Sequence, residues 1–233
     1  MDYFLDTCVE VGYVFCTDPW NDESVEVFND NDYLNYSHTV KMEFNKKYHE
    51  IYNENRNFLR SLMDILNLES DKEKLLSLDE FNQKSWQVDL EEEIDERKKE
   101  KIIKTLWEFS KSKHLNTESG NPVCKVKTLL IYISKFIRNF SYGLLKRKRA
   151  FESKVMIHTR HDKYQELYDK LEENGIHYPD NHIVLDAHDL SLKRNITLEF
   201  ITADKNMVTN VNCLVDLLNI NKFHYLKVFA NLL

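Results

Sequence analysis

Short apolar runs and longer amphipathic stretches alternate along this chain of 233 residues. Stretches in which apolar residues recur at three- and four-residue steps predict helices, and short continuous apolar runs predict buried strands. The predicted strands are 3–7, 32–37, 154–159, 198–202 and 223–228. The predicted helices are 22–30, a long helix from 37 or 38 to 66, 71–114, 123–145, 161–174, 181–194 and 206–218. Because strands alternate with helices towards both ends of the chain, the pattern predicts an α/β fold with a mostly parallel sheet.

The middle of the chain has a different pattern from its ends. Residues 45–150 contain helical periodicity and no predicted strand. Within this segment, residues 89–104 are almost all charged, which is typical of a solvated helix face with ion pairs between successive turns. We therefore expect residues 1–44 and 151–233 to form one α/β domain and residues 45–150 to form a large, all-helical insertion or cap.

The composition is that of a soluble globular protein, with 42% hydrophobic and 30% charged residues. Only 4 Gly and 3 Pro are present, which favours helices over tight turns. No apolar stretch approaches the roughly 18 residues of a membrane span, and the N-terminus lacks the pattern of a signal peptide. The cysteines are scattered and form no C-x-x-C pair, so a reducing, cytoplasmic location is expected; they are Cys8, Cys16, Cys124 and Cys213.

Basic residues are concentrated in one region although the net charge is −7. The overall acidity argues against a protein that simply coats nucleic acid, but it is compatible with an enzyme that keeps acids and bases apart. Aromatic residues alternate with these basic residues, so the region is a candidate for contacts with phosphates and bases. The alternative is a helix whose aromatic side is core and whose basic end suits the helix dipole. The candidate nucleic-acid-binding residues are Lys135, Arg138, Lys146, Arg147, Lys148 and Arg149.

Two aspartates follow predicted strands at opposite ends of the chain. Asp6 directly follows the apolar run Tyr3-Phe4-Leu5, and Asp204 follows the strand at 198–202. Ligands of open α/β sheets bind outside the carboxyl ends of the strands, so neighbouring strands would place both carboxylates in one crevice. The alternative is that each aspartate caps the next helix, and Thr202-Ala203-Asp204 is a suitable capping sequence.

Two further acids lie where such a site needs them. Glu43 is in the first turns of the helix after the second strand, and Asp186 is near the start of the helix that leads to the strand before Asp204. Asp189, one helical turn later, is a rival to Asp186. Four converging carboxylates would repel one another, and a hard divalent cation such as Mg²⁺ or Mn²⁺ would relieve that repulsion. Lys205, beside Asp204, is a candidate to meet a substrate phosphate.

These motifs resemble those of PIN-domain nucleases. The matching elements are an apolar strand before Asp6-Thr7, Ser37 followed after five residues by Glu43, and Asp186 followed after 17 residues by Asp204 within Thr-x-Asp-Lys. The resemblance covers residues 1–44 and about 176–230, and it implies a three-layer α/β/α sandwich with a Mg²⁺ or Mn²⁺ site. It implies the ligands Asp6, Glu43, Asp186 and Asp204, with supporting roles for Thr7, Thr202 and Asn206. Many members have an acid where this chain has Asn206.

The function implied by the resemblance is hydrolysis of RNA by in-line attack of water at the metal site, without a Ser, Cys or His nucleophile. Such an endoribonuclease would be a toxin of a toxin–antitoxin pair, an RNA-processing enzyme or a defence nuclease. RNA is then the expected partner, with an antitoxin or other protein and a second copy of the chain as further candidates, and no membrane. A non-catalytic PIN-like module that binds protein or nucleic acid is the alternative, and a nuclease acting on DNA is a third reading.

Overall fold

The polypeptide alternates between strands and helices in the computed structural model, which describes residues 1–88, 94–117, 120–158 and 164–231. The strands are β1 (Asp2–Leu5), β2 (Leu34–Ser37), β3 (Leu75–Ser77), β4 (Leu115–Asn116), β5 (Pro122–Lys125), β6 (Met156–His158), β7 (Leu198–Thr202) and β8 (Lys222–Tyr225). The α-helices are α1 (Thr7–Val14), α2 (Asn21–Asp30), α3 (His38–Leu68), α4 (Leu78–Ser85), α5 (Glu96–Ser110), α6 (Val126–Lys154), α7 (Gln165–Glu173), α8 (Asp180–Arg194), α9 (Lys205–Val211) and α10 (Leu226–Ala230). Short 3-10 helices cover Lys111–Lys113 and Asn212–Leu217. In these ranges, no helix is long and apolar enough to cross a membrane.

The chain divides into two compact units. The first consists of residues 1–15, 20–48 and 146–233, and the second consists of residues 16–19 and 49–145. The first unit contains β1, β2, β6, β7 and β8, and the second contains β3, β4 and β5. Each unit therefore has its own sheet.

A five-stranded sheet in the order β6-β2-β1-β7-β8 forms the centre of the first unit. Every strand in it pairs with its neighbour in parallel, so the α/β class and the mostly parallel sheet predicted from the sequence are confirmed. Parallel sheets are covered on both faces, which requires apolar strands. Phe4 of β1 and Phe200 of β7 lie opposite each other in the register, are fully buried, and stack with ring centroids 5.6 Å apart.

The direction in which the chain adds strands reverses beside β1. From β1 the chain adds β2 and then β6 on one side, and it later adds β7 and β8 on the other side. The connection that follows β1 therefore leads towards the β6 edge of the sheet, and the connection that follows β7 leads towards the β8 edge. In doubly wound sheets this switch point opens a crevice at the carboxyl ends of the two strands, where ligands bind.

Helix α1 was not predicted from the sequence. It begins directly after Asp6, whose side chain accepts a hydrogen bond from the Thr7 backbone N–H. Most of its residues are buried, including Val9, Glu10 and Gly12. A helix that is buried on most of its surface lacks the alternation of polar and apolar faces on which sequence prediction depends.

The second unit corrects the prediction of an all-helical middle segment. Strands β3, β5 and β4 form a three-stranded antiparallel sheet there, and β3 and α4 interrupt the predicted helix 71–114. Strands of two to four residues are too short to show a twofold pattern. Ser77 ends β3 and begins α4 with a reciprocal capping box to Glu80, which is why the chain changes structure at that point.

Other boundaries differ from prediction by less. The predicted strand 223–228 ends at Tyr225 and continues as α10, and the predicted helix 206–218 is α9 followed by a 3-10 helix. Part of the predicted strand 154–159 and of the helix 161–174 falls on residues 159–163, outside the described residues. The same is true of residues 89–93 in the charged stretch 89–104 and of 118–119.

Two helical glycines should respond oppositely to substitution by alanine. A Cβ at Gly12 would lie 2.3 Å from Ser24 Oγ and 3.0 Å from the Trp20 carbonyl oxygen, which is backbone and cannot rotate away. Overpacking of this kind costs about 1–3 kcal/mol, so we expect Gly12→Ala to lower the melting temperature. A Cβ at Gly143 meets nothing within 4 Å. Gly143→Ala should therefore stabilise α6 by up to about 1 kcal/mol. Thermal unfolding of both variants checks the pair, and an unchanged Gly12→Ala protein would contradict the packing described for α1 and α2.

Candidate functional site

Acidic side chains meet at the switch point of the parallel sheet. Asp6 follows β1 directly, Asp204 follows β7 by two residues, and β1 and β7 are hydrogen-bonded neighbours. Glu43 extends from the second turn of α3, which starts at the end of β2 on the other side of β1. Asp6, Glu43 and Asp204 all belong to the first unit, and their carboxylates approach the same edge of its sheet.

Thr7 connects the carboxylates of Glu43 and Asp6, and Thr202 connects the Asp6 carboxylate to the backbone of Asp204. The Thr7 backbone N–H donates to Asp6 Oδ1 at 2.6 Å, while the Thr7 hydroxyl donates to Glu43 Oε2 at 2.5 Å. The Thr202 hydroxyl donates to Asp6 Oδ2 at 2.7 Å and accepts the backbone N–H of Asp204 at 2.9 Å. The result is one continuous hydrogen-bonded chain from Glu43 through Thr7, Asp6 and Thr202 to Asp204.

Asp180 adds a fourth carboxylate to this cluster. It is the first residue of α8, is half-buried, and forms no hydrogen bond or ion pair with any residue that the structure describes. Its burial raises the pKa of its carboxyl to about 7, and the carboxylates of Asp6, Glu43 and Asp204 contribute to the rise. Lys47 opposes that rise. Asp180 was missed from the sequence, which shows an acid in the first turn of the helix that leads to β7 but not which acid of that helix faces the sheet.

Lys47 is the cation that faces the cluster. Its ammonium lies 2.5 Å from Glu43 Oε1, one helical turn along α3. Burial lowers the pKa of this ammonium, but the hydrogen bond to Glu43 and the charges of Glu43, Asp6 and Asp180 outweigh burial, so the pKa is raised. Because about half of the Lys47 side chain is exposed, this ion pair contributes little to stability.

Asp6 and Asp204 also cap helices, as the alternative reading of the sequence proposed. Asp6 is the N-cap of α1, and Asp204 Oδ1 accepts the backbone N–H groups of Asn206 and Met207 at the start of α9. Capping uses one oxygen of Asp204, and its Oδ2 accepts no hydrogen bond from the described part of the chain. Burial, together with the Glu43 charge, raises the pKa of Asp6 in spite of its three hydrogen bonds.

Asp186, the fourth ligand implied by the sequence, is placed differently. Its side chain is buried, and Oδ2 accepts a hydrogen bond of 2.6 Å from the Thr39 hydroxyl. Six residues along a helix correspond to a rise of about 9 Å and a rotation of about 120°, so Asp186 and Asp180 point in different directions from α8. Its rival Asp189 accepts a hydrogen bond from Tyr164 Oη and pairs with Lys193. Asp180 is an acid of α8 whose charge interacts with those of Asp6, Glu43 and Asp204.

Cys8 lies beside Asp6 and was not predicted as a site residue. Its Sγ is 3.1 Å from Asp6 Oδ2 and accepts the backbone N–H of Ala203 at 2.9 Å. Burial, reinforced by the charge of Asp6, raises the pKa of the thiol. The Cys8 thiol donates a hydrogen bond to Asp6 and so helps to fix its carboxylate, and its raised pKa disfavours the reactive thiolate.

The donor set suits a hard divalent cation in its chemistry. Carboxylate oxygens are the ligands that Mg²⁺ and Mn²⁺ prefer, and the Asp180 carboxylate has no other partner among the described residues. Within the described residues, however, no three Asp, Glu, His or Cys side chains are arranged closely enough to hold a metal ion as they stand. Binding therefore requires small side-chain movements, above all the release of Glu43 by Lys47.

The residues predicted to bind nucleic acid fall into two groups. Arg147 and Lys148 are committed to the first unit: Arg147 donates to the Tyr13 carbonyl at 2.8 Å, and Lys148 donates to Asn45 Oδ1 at 2.6 Å. Four residues are exposed, namely Lys135, Arg138, Lys146 and Arg149. Lys205 and Asn206, in the first turn of α9, are exposed as well.

The raised pKa of Asp180 predicts a stability that depends on pH. A carboxyl whose pKa is higher in the folded than in the unfolded protein loses stability as pH rises from about 4 to about 7, because the folded state resists ionisation. We therefore expect Asp180→Asn to melt at a higher temperature than the wild type at pH 8 in chelator, with no difference near pH 4.

Glu166→Gln is the matched control. The ion pair with Lys170 lowers the pKa of Glu166, so this variant should gain nothing at pH 8. If Asp180→Asn is less stable than the wild type at pH 8, then Asp180 does not face the other carboxylates.

No match to the chain was found among protein-family models, curated proteins or solved structures.

Proposed function

We propose that the protein is a metal-dependent nuclease of PIN-like fold that hydrolyses phosphodiester bonds of RNA, with Asp6, Glu43, Asp180 and Asp204 as its metal-binding carboxylates. The observation that carries this proposal is the hydrogen-bonded chain that holds Glu43, Asp6 and Asp204 at the switch point of the sheet. In this proposal Asp180 replaces Asp186, the ligand that the resemblance implied. We also propose that the first unit is a three-layer α/β/α domain and that the second unit is an insertion in it.

The carboxylates would share the work of holding the cation. Asp6 is fixed from three directions by Thr7, Thr202 and Cys8, so it would be the rigid ligand of the site. Asp180 and Asp204 each have oxygens without a hydrogen bond from the described residues, so they would bind at the least cost. A bound Mg²⁺ or Mn²⁺ supplies the positive charge that polarises a phosphoryl oxygen and makes water a better nucleophile at neutral pH.

Lysine side chains would serve the substrate. Lys47 neutralises part of the cluster before the cation binds, and its release from Glu43 would leave an ammonium beside the site. Lys205 follows Asp204 and is exposed. Either ammonium could then neutralise a phosphate of the substrate, since Lys binds phosphate as a point charge.

The second candidate function is a non-catalytic binding module. Two observations favour it: no three ligands stand within reach of one cation among the described residues, and Asn206 occupies a position where many PIN-domain nucleases have an acid. Asp6 and Asp204 would then serve only to cap α1 and α9. Cation binding and cleavage separate the two functions.

Cation binding should respond to Lys47. We expect calorimetry to show Mn²⁺ binding by the wild type, weaker binding by Asp180→Asn, and tighter binding by Lys47→Met because the competing ammonium is gone. An exposed ion pair contributes about 0–1 kcal/mol, so the gain should not exceed about fivefold. Lys170→Met, which breaks an equivalent exposed pair with Glu166, is the control and should bind Mn²⁺ like the wild type. Absence of Mn²⁺ binding in all four proteins would support the binding module.

Cleavage of single-stranded RNA tests the enzyme directly. In Mn²⁺ we expect Asp6→Asn, Asp180→Asn and Asp204→Asn each to lose at least about 100-fold in rate, because each removes a charge worth several kcal/mol in the transition state. Glu166→Gln should be fully active. Asp186→Asn distinguishes the two acids of α8: it should retain activity if it remains folded by circular dichroism.

A parallel assay on single-stranded DNA decides the nucleic acid. Cleavage of DNA alone would replace RNA as the substrate and leave the metal site unchanged. Activity that survives both Asp6→Asn and Asp204→Asn would remove the nuclease assignment.

A further inference from the structure

Most of helix α6 contains basic residues and no acidic residue, although Lys127 near its start pairs with Glu73 of another segment. Between Val126 and Phe151 the sequence has seven basic residues and no Asp or Glu, in a chain whose net charge is −7. Such a segregation of charge is not needed to form a helix, since helices are better stabilised by alternating charges one turn apart. It indicates a partner with negative charge.

One face of α6 in the second unit is open to solvent. Ile131, Lys135, Arg138, Tyr142 and Leu145 are separated by four, three, four and three residues, a spacing that places all of them within one narrow stripe of the helix. All five side chains are exposed; the exposed fraction is 72% for Tyr142, 52% for Ile131 and 47% for Leu145. The stripe is about 21 Å long at 1.5 Å per residue.

The remaining aromatic residues of this helix segment are used inside the second unit. Phe136 and Phe140 are buried and stack on each other, and Tyr132 packs edge-on against Phe109. The sequence suggested all four aromatic residues as candidates for base stacking, and only Tyr142 is exposed enough for it. Tyr142 is exposed over 72% of its surface and lies on the same face as two basic residues, so its ring is accessible to a partner.

The two basic residues of the stripe are available to a partner. Neither Lys135 nor Arg138 forms an ion pair with an acidic side chain among the described residues. Lys135 Nζ lies 5.1 Å from the centroid of the Tyr132 ring, so its stem rests on the helix while its ammonium faces solvent. Arg138 is exposed one turn before Tyr142, where its guanidinium can bind a phosphate next to a base stacked on the ring.

We propose that this stripe of α6 binds single-stranded nucleic acid, with Lys135 and Arg138 contacting phosphates and Tyr142 stacking on a base. The alternation of cations with an aromatic ring matches the way in which single strands are bound without sequence preference. A duplex would hide its bases from Tyr142, whereas a single strand presents both phosphates and unstacked bases. The choice of RNA as the bound strand rests on the proposed function. The stripe adds how that substrate would be bound.

Binding is measured apart from cleavage by fluorescence anisotropy of a labelled single-stranded RNA in EDTA. We expect Lys135→Gln and Arg138→Gln each to weaken binding and to reduce the salt slope by roughly one phosphate contact. Tyr142→Ala should weaken binding on the order of tenfold without changing the salt slope. The matched controls are Lys111→Gln and Tyr33→Ala, an exposed lysine and an exposed tyrosine elsewhere, which should bind like the wild type.

The outcomes separate this proposal from the nuclease. If Asp6→Asn binds RNA normally but does not cut it, while Tyr142→Ala binds weakly, both proposals hold. If the wild type never cuts RNA but binding still depends on the stripe, the nuclease fails and the stripe stands. Unchanged RNA binding by Lys135→Gln, Arg138→Gln and Tyr142→Ala would overturn the proposal that the stripe binds nucleic acid. Tight binding of phosphatidylserine vesicles through the same residues, with no binding of RNA, overturns it in favour of a membrane surface.

Discussion

Mutual repulsion between carboxylates is the constraint on which the first unit of this protein depends. Asp6 and Glu43 are held near Asp180 and Asp204 although each negative charge disfavours the others. The Thr7 and Thr202 hydroxyls offset part of this cost, because each donates a short hydrogen bond to a carboxylate oxygen. Lys47 offsets another part from α3. The repulsion that is left acts on Asp180, which has no hydrogen-bond donor among the described residues and whose pKa is raised to about 7 by burial and by the neighbouring carboxylates.

The same arrangement makes helix capping and cation binding compatible. A capping aspartate directs one oxygen to backbone N–H groups and leaves the other free, as at Asp204. The positive ends of α1 and α9 also stabilise the ionised form of the carboxylates that cap them. Capping is therefore no argument against a metal site, since it would orient the carboxylate that binds the cation. The lack of a capping or pairing partner for the Asp180 side chain among the described residues is the more informative observation, because capping does not account for that acid.

The sequence was sufficient for the parts of the fold whose pattern is local. The apolar runs of β1 and β7 and the acids after them could be found because buried parallel strands are continuous in apolar residues. Helix α1 could not be predicted, because burial on most sides removes its periodicity. Strand β3 could not be predicted, because three residues show no alternation. Asp180 was missed for another reason: the choice between Asp180 and Asp186 depends on the rotation of α8 against the sheet, which spacing along the chain does not encode.

Net charge is a poor guide to what this protein binds, because opposite charges are sorted into different places. A polyanion is repelled by the carboxylate cluster until a cation neutralises it, so nucleic acid would need to be held by contacts elsewhere on the chain. The exposed face of α6 offers such contacts without any acid in its sequence from Val126 to Phe151. Affinity and chemistry would then be supplied by separate sets of residues. Under the proposed function, that separation would let a chain with 39 acidic and 32 basic residues act on a nucleic acid without a basic surface overall.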